Sequence, residues 1–272
     1  MDYQVYFIPT PIGNLEDITL RALKTLKEVD LIACEDTRES MKLLNHYDIK
    51  KDLISYHKFN EKSRSEDLIR LINEGKNIGV ISDQGMPGLS DPGLVLVREL
   101  IKKDISYTVL PGPSSILTAL VGSGQDSDEF AFYGFIGKKN KDKKDLYKRL
   151  EAEDKTSIIF ESVHNIENTL LDFKKLFPNR KITIARELTK KFESYHTEIL
   201  RDLDIDNITL KGEFVLVLER AQKKAAGLED YKDEIGSMLK EGIQTKKIVK
   251  EIRKKSDLPK NEIYDYVLFL KN

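Results

Sequence analysis

Residues 78–93 read IGVISDQGMPGLSDPG, a short apolar run followed by a segment in which no regular element can continue. The run at 78–81 predicts a buried strand, whereas residues 82–93 contain three glycines, two prolines and two aspartates. The backbone groups of such a segment need partners outside secondary structure. At the carboxyl end of a strand a ligand is a natural partner, and an Ω-loop that only closes the fold is the structural alternative.

The sequence around this strand alternates between short apolar runs and amphipathic helical patterns. Further strands are predicted at residues 4–8, 31–34 and 107–110. Helices are predicted at residues 18–29, 65–73, 94–102 and 114–121. This alternation is typical of a parallel α/β sheet.

A polar, turn-rich segment at residues 122–128 interrupts the alternation, and a second α/β set follows it. Its strands are predicted at residues 130–133, 157–160, 181–185, 195–200 and 213–218. Residues 195–199 alternate strictly between polar and apolar side chains, which indicates a sheet that is antiparallel in part. We therefore predict an N-terminal α/β domain at 1–122 and a C-terminal α/β domain at 123–222.

The remaining residues, 223–272, are rich in lysine and predict a small helical segment. Two short helices, one around Ile248–Ile252 and one starting near Pro259, resemble a helix-turn-helix. A helical cap that only packs is equally compatible with the pattern. From residue 222 onward the chain has twelve basic and nine acidic residues, a weak signal for nucleic acid.

Composition narrows the class of protein. The chain has 272 residues, 40% of them hydrophobic, a net charge of −1 and a single cysteine, Cys34. One cysteine permits no disulfide framework and fits a reducing compartment. Four histidines and one cysteine, spread along the chain, show no metal-ligand spacing. With no signal-peptide pattern and no apolar run of membrane-spanning length, we expect a cytoplasmic protein without a metal or a membrane segment.

Three more segments follow predicted strands of the first sheet and could carry chemistry. They are residues 9–19 (PTPIGNLEDIT), 35–38 (EDTR) and 110–115 (LPGPSS). The first of them matches neither the dinucleotide-binding turn nor the phosphate-binding loop. Each also has a structural reading: a stiff turn, an Asp36–Arg38 pair at a helix start, and a serine cap.

Basic residues cluster at 137–149, with seven lysines and arginines against two acids. Such a local field attracts phosphate backbones, although charge runs are often only solvated faces. Three mixed clusters, at residues 160–164, 186–193 and 211–214, lie at strand ends of the second set and could line one groove. Arg186 and Glu187 could equally be a structural pair.

Taken in order, seven segments resemble the small-subunit ribosomal RNA (cytidine-2′-O)-methyltransferases of the tetrapyrrole methylase superfamily. They are residues 10–15 (TPIGNL), 35–38 (EDTR), 82–93 (SDQGMPGLSDPG), 111–114 (PGPS), 161–164 (ESVH), 186–190 (RELTK) and 212–214 (GEF). The resemblance covers residues 3–220 well and the helical tail more loosely. Two departures are Gln84, which we expect to face solvent in the middle of its loop, and Phe59 within Tyr56–Glu61.

The resemblance implies two α/β domains of tetrapyrrole methylase type with S-adenosylmethionine held in the cleft between them, followed by the helical segment. It also implies a homodimer that methylates a cytidine ribose in the decoding region of small-subunit ribosomal RNA, naked or within the assembled subunit. The donor contacts that it implies, to within a residue or two, are Ile12, Asp83, Gly85, Met86, Ser115, Ile116, Phe160, Ala185 and Gly212.

Transfer of a methyl group to a ribose hydroxyl requires alignment of the reactants and a group that accepts the proton. The candidate acceptors are Glu35, Asp36, Glu61, Glu161 and Glu187, and the sequence does not choose among them. Candidate contacts to the RNA are Arg38, Asn60, Lys138, Lys139, Arg186 and Lys190. The rival functions are methylation of a tetrapyrrole or a protein by the same fold, and a non-catalytic RNA-binding assembly factor.

Overall fold

The first half of the chain forms a parallel sheet with helices on both faces. The computed structural model describes residues 2–137, 139–221, 227–256 and 258–271. The strands are β1 (Val5–Phe7), β2 (Leu31–Cys34), β3 (Asp52–Ser55), β4 (Ile78–Ile81) and β5 (Tyr107–Val109), in the order β3-β2-β4-β1-β5. All four pairings are parallel. The helices that follow the strands are α1 (Leu20–Glu28), α2 (Thr37–His46), α3 (Glu61–Asn73), α4 (Leu94–Lys102) and α5 (Ser115–Ser123).

Alternation along β1 builds a core on each face of this sheet. Val5 and Phe7 pack with the buried side chains of α3 and α4 on one face. Tyr6 and Ile8 pack with those of α1 and α2 on the other. Since successive residues of a strand point to opposite faces, a strand buried on both sides reads as a continuous apolar run. Cys34 is fully buried in the second of these cores.

The second sheet is mixed, as the sequence predicts. Its strands are β6 (Phe130–Phe135), β7 (Thr156–Glu161), β8 (Lys181–Arg186), β9 (Ser194–Ile199) and β10 (Phe214–Leu218), in the order β6-β7-β10-β8-β9. β6 pairs with β7 in parallel, and the other three pairings are antiparallel. Helices α6 (Asn140–Ala152) and α7 (Ile166–Leu176) contribute to the core on one face.

Helix α5 covers the opposite face of the second sheet, although it precedes that sheet in the chain. Ser114 caps its start by accepting a hydrogen bond from the Leu117 amide. Ile116, Ala119 and Leu120 of α5 are buried against side chains of β7, β8 and β10. The division at residue 122 stays a prediction, but the packing of α5 ties the end of the first α/β set to the second sheet. Residues 1–220 form one compact unit.

Residues 221–272 form a second unit. Its described part contains three α-helices: α8 (Lys232–Lys240), α9 (Thr245–Lys255) and α10 (Lys260–Lys271). The last two lie where the sequence predicts helices, and α8 is additional. Their shared core includes Ile235, Ile248, Ile252 and Ile263. None of the helices in the described ranges combines the length and apolar character that a membrane crossing requires.

Candidate functional site

The loops that leave the carboxyl ends of β1, β2, β4 and β5 meet at one edge of the first sheet, where open parallel sheets bind ligands. A cavity of about 540 Å³ lies between this edge and the second sheet. It is lined by Ile12, Glu35, Asp83, Gln84, Gly85, Met86, Leu89, Ser90, Asp91, Ser114, Ser115, Ile116, Phe135, Phe160, Glu161, Ser162, Val163, His164, Leu188, Gly212, Glu213, Phe214 and Val215.

The loop 82–93 is fixed to the loop after β1. The amides of Thr10 and Gly85 each donate to the other residue's carbonyl, at 2.9 and 3.0 Å. Gly85 has a φ of +74°, a conformation that side chains with a Cβ rarely adopt. Ser90, which is not a glycine, also has a positive φ, of 69°. Such strain is common where a loop is shaped for a ligand.

Of the nine residues that were expected to contact the ligand, eight line this cavity. They are Ile12, Asp83, Gly85, Met86, Ser115, Ile116, Phe160 and Gly212. Ala185 does not line it, because its side chain in β8 is fully buried in the core beneath α5.

The five expected proton acceptors separate into two groups. Glu35 and Glu161 line the cavity, whereas Asp36, Glu61 and Glu187 do not. Glu161 has both oxygens engaged, since Oε1 accepts from the Ser162 amide and Oε2 from Thr169 Oγ1, each at 2.7 Å. Glu35 accepts no hydrogen bond from any described residue. Burial and the charge of Asp83 raise the pKa of Glu35.

Asp36 and Arg38 form the ion pair that was one of two interpretations of their sequence segment. Asp36 Oδ2 lies 2.7 Å from Arg38 Nη2, and Asp36 Oδ1 accepts from the Arg38 amide at the start of α2. The guanidinium holds the pKa of Asp36 well below its usual range. The Arg38 side chain nevertheless remains 85% exposed.

Asn60, Arg186 and Lys139, which were expected to contact the RNA, also lie outside the cavity lining. Asn60 holds its own turn, accepting from the His57 amide and donating to the Ser55 carbonyl. Arg186 donates to the Lys211 carbonyl, and Lys139 is exposed just before α6. Lys138 lies outside the described residues.

Lys190 belongs to a network that joins the two sides of the cavity. Its Nζ lies 3.1 Å from Glu187 Oε1 and 2.8 Å from Glu213 Oε2. Gln84 of the first-sheet loop donates to the other oxygen of Glu213 at 3.2 Å. Gln84 is exposed, as expected, and its side chain also hydrogen-bonds a residue 129 positions later in the sequence, in the loop that leads into β10.

We expect Lys190→Met to lower the free energy of unfolding by about 1 kcal/mol, because it leaves the partly buried carboxylate of Glu187 and the exposed one of Glu213 without this cation. Burial lowers the pKa of Lys190, but the hydrogen bonds to Glu213 and Glu187 outweigh it and raise the pKa overall. Urea denaturation measures the effect. Lys191→Met, next in the chain and stacked near Phe192, is the control and should change little. Equal stabilities for both variants would contradict the role of the network.

Three carboxylates face the cavity from the first sheet: Glu35, Asp83 and Asp91. Burial, together with the charges of Glu35 and Asp83, raises the pKa of Asp91 to about 7. Partial burial also raises the pKa of Asp83, against the hydrogen bond that it accepts from the Asp36 amide. A cationic group placed against this wall would relieve their mutual repulsion. Asp91 lies in the segment 82–93, but the sequence did not single it out.

Asp91 makes stability depend on pH with a definite sign. In the unfolded chain it ionises near its ordinary value of 3.8, and in the folded protein at about 7. Between these values the folded state holds a proton that the unfolded state has lost. The free energy of unfolding therefore falls as pH rises through this window, and then stays level.

We expect Asp91→Asn, which cannot ionise, to match the parent near pH 4 and to be more stable by about 2 kcal/mol near pH 8. Denaturant unfolding at several pH values measures this difference. A variant that is less stable than the parent near pH 8 would show that the carboxylate has a stabilising partner.

Other cavity residues were not among the individual site residues that we predicted from the sequence. Phe135, Val163 and His164 line it from the second sheet. Val163 and His164 lie in the segment 160–164, which did signal a strand end with mixed charge. Within the described residues, no group of three or more histidine, cysteine, aspartate or glutamate side chains is placed to hold a metal ion.

Comparison with known proteins identifies the family. The sequence profile of the tetrapyrrole (corrin/porphyrin) methylases matches residues 4–204. The chain is 37% identical over 272 residues to "Ribosomal RNA small subunit methyltransferase I" of Bacillus subtilis (strain 168), covering 96% of this chain and 92% of that protein. It is 47% identical over 217 residues to the protein of the same name in Mycoplasmopsis pulmonis, covering 79% and 96%.

Solved structures show the same fold. The methyltransferase CobJ superposes with a TM-score of 0.62 at 18% identity, covering 83% of this chain and 98% of that one. Diphthine synthase superposes with a TM-score of 0.61 at 14% identity, covering 79% and 89%. Fold, profile and relatives agree, and the chain belongs to the tetrapyrrole (corrin/porphyrin) methylase family.

Proposed function

We propose that this chain uses S-adenosylmethionine to methylate the 2′-hydroxyl of a cytidine in the decoding region of small-subunit ribosomal RNA. The observation that carries the proposal is the cavity between the two sheets. It is supported by relatives that are named as ribosomal RNA methyltransferases and that align with this chain over more than nine-tenths of their length. The reaction would take place in the cytoplasm.

The residues of the cavity fit the proposed methyl donor. S-adenosylmethionine carries a positive sulfonium, an ammonium and a carboxylate. The wall of Glu35, Asp83 and Asp91 suits the cationic groups, and the amides at the start of α5, at Ser115 and Ile116, suit the carboxylate. The apolar side chains of Ile12, Met86 and Phe160 suit the nucleoside, and Gly85 allows its close approach to the backbone.

When bound, the donor supplies an electrophilic methyl group. The protein's part is to align the ribose hydroxyl with it, to exclude water and to accept the proton. Among the five candidate acceptors, Glu35 combines a position in the cavity wall and a raised pKa with carboxylate oxygens that accept no hydrogen bond from a described residue. We assign it that role. Glu161, with both oxygens engaged, holds the turn at residues 162–164 in place.

The proposal also includes a homodimer. Leu117 and Val121 on the outer face of α5 are 53% and 77% exposed, an apolar surface without a partner in the described part of the chain. A second copy would cover it. Light scattering on the purified protein should give twice the mass of the chain, and a monomer at micromolar concentration would contradict this part of the proposal.

The test of the function is transfer of a labelled methyl group. The protein is incubated with labelled S-adenosylmethionine and either small ribosomal subunits or protein-free ribosomal RNA from a strain that lacks this enzyme. We expect label at a single cytidine, resistant to alkaline hydrolysis because its 2′-oxygen is blocked. Label on a base, on protein or on a tetrapyrrole offered in parallel would overturn the proposed acceptor, and no donor binding in calorimetry would favour an assembly factor.

A further inference from the structure

The second sheet contributes aromatic side chains to the cavity, whose first-sheet side carries Glu35, Asp83 and Asp91. Phe135 ends β6, lines the cavity and is 61% exposed. Its ring lies edge-on to that of Phe160, with 5.3 Å between centroids. Phe160 in turn meets Phe132 at 4.9 Å. A ring that is supported from behind and mostly open in front contributes little to the core and presents a face to a ligand.

The backbone of β6 places this ring. The register between β6 and β7 shifts between Phe132 and Phe135, and Gly134 between them has a φ of +67°. Such irregularities redirect a side chain and are frequent beside active sites. A Cβ at Gly134 would lie 3.5 Å from Ser90 Oγ, so the strand end lies against the loop 82–93.

Charge is distributed unevenly about this ring. Glu35, Asp83 and Asp91 make the first-sheet side of the cavity acidic. Immediately after Phe135 the chain enters the basic segment, where Lys139, Lys141 and Lys144 are exposed and have no ion pair with a described residue. The phosphates of an RNA strand are repelled from the acidic wall and attracted to these lysines. The part of the nucleotide that enters the cavity is therefore uncharged, namely the ribose and its base.

We propose that Phe135 is the stacking platform for the base of the acceptor nucleotide, which leaves its own stack when its ribose enters the cavity. Aromatic side chains receive splayed-out bases in this way throughout single-stranded RNA recognition. The inference rests on the RNA methyltransferase function proposed above, and it assigns a positioning role at the same site.

Steady-state kinetics with small ribosomal subunits and labelled donor tests the platform. We expect Phe135→Ala to lower kcat/KM for subunits about 5- to 100-fold, the range for loss of one base stack. Phe135→Leu, which is apolar but not aromatic, should lose nearly as much, whereas Phe135→Tyr and Phe135→Trp should stay close to the parent. Donor affinity, measured by calorimetry, should change less than about twofold in all four, given that the ring contacts the base and not the donor.

The matched control is Phe130→Ala, at the other end of the same strand and also partly exposed. It should behave as the parent. Full activity in Phe135→Ala, or rescue by leucine, would overturn the stacking role. Weakened donor binding in Phe135→Ala would assign the ring to the donor's adenine instead. If the parent protein methylates no RNA, the proposed function is wrong, and the stacking role is wrong with it. The parent alone shows this result, so it is distinct from a failure of the stacking role, which only the variants show.

Discussion

Glu35→Gln should lower kcat for methyl transfer by about 10²- to 10⁴-fold at saturating donor, the range expected for loss of a positioned general base. Glutamine keeps the size of the side chain but cannot accept the proton of the ribose hydroxyl. Burial and Asp83 raise the pKa of Glu35, which makes its carboxylate a stronger base than an exposed one. Single-turnover rates measure the chemical step without product release.

The pH dependence separates loss of a base from loss of alignment. In the parent, the rate should increase with pH as Glu35 ionises, at a pH above the ordinary value for a glutamate, because burial and Asp83 raise its pKa. In Glu35→Gln this increase should be absent. The control is Asp36→Asn, the adjacent acid, whose side chain lies outside the cavity and is paired with Arg38. We expect it to stay within about threefold of the parent; a larger loss than in Glu35→Gln would exchange the two roles.

The sequence could place most of the cavity because its residues lie at strand ends. In a parallel sheet, the carboxyl ends of β1, β2, β4 and β5 must share one edge. The glycine-rich and proline-rich segments that follow these strands could therefore be expected to lie close together in space. Six of the nine contacts that the family resemblance implied lie in these segments and line the cavity: Ile12, Asp83, Gly85, Met86, Ser115 and Ile116. Phe160 and Gly212 also line it, but they come from the second sheet. The ninth, Ala185, lies inside β8, where alternation decides which way a side chain faces and a shift of one residue reverses it.

Contacts between the two sheets could not be predicted from the sequence. Gln84 and Glu213 are 129 residues apart, and no local pattern indicates that they meet. Helix α5 is apolar on most sides, so its sequence does not say which sheet it covers. Strand β3, Asp52–Ser55, is partly exposed along its whole length and lacks the apolar run that marks the other strands of its sheet. Phe135 lies beside a register shift in β6, which no local sequence pattern predicts.

Asp83→Asn should weaken binding of S-adenosylmethionine about 10- to 100-fold, because a hydrogen-bonded or closely placed charge contributes more than a neutral group. Asparagine can still accept the Asp36 amide, so the loop keeps its anchor. Calorimetry measures the affinity. Asp67→Asn, a paired acid on the surface of α3, is the control and should leave the affinity unchanged.

S-adenosylhomocysteine shows whether the charge of the sulfonium is what the carboxylates recognise. It shares the ammonium, carboxylate and nucleoside of the donor but has a neutral sulfur. Asp83→Asn should therefore weaken its binding several-fold less than that of the donor. Affinity for the donor should also increase as pH rises through about 7, since Asp91 then ionises and adds negative charge to the same wall. If Asp83→Asn weakened the binding of both ligands equally, and donor affinity did not depend on pH, the carboxylates would contact only the ammonium. The sulfonium would then lie on the aromatic side of the cavity.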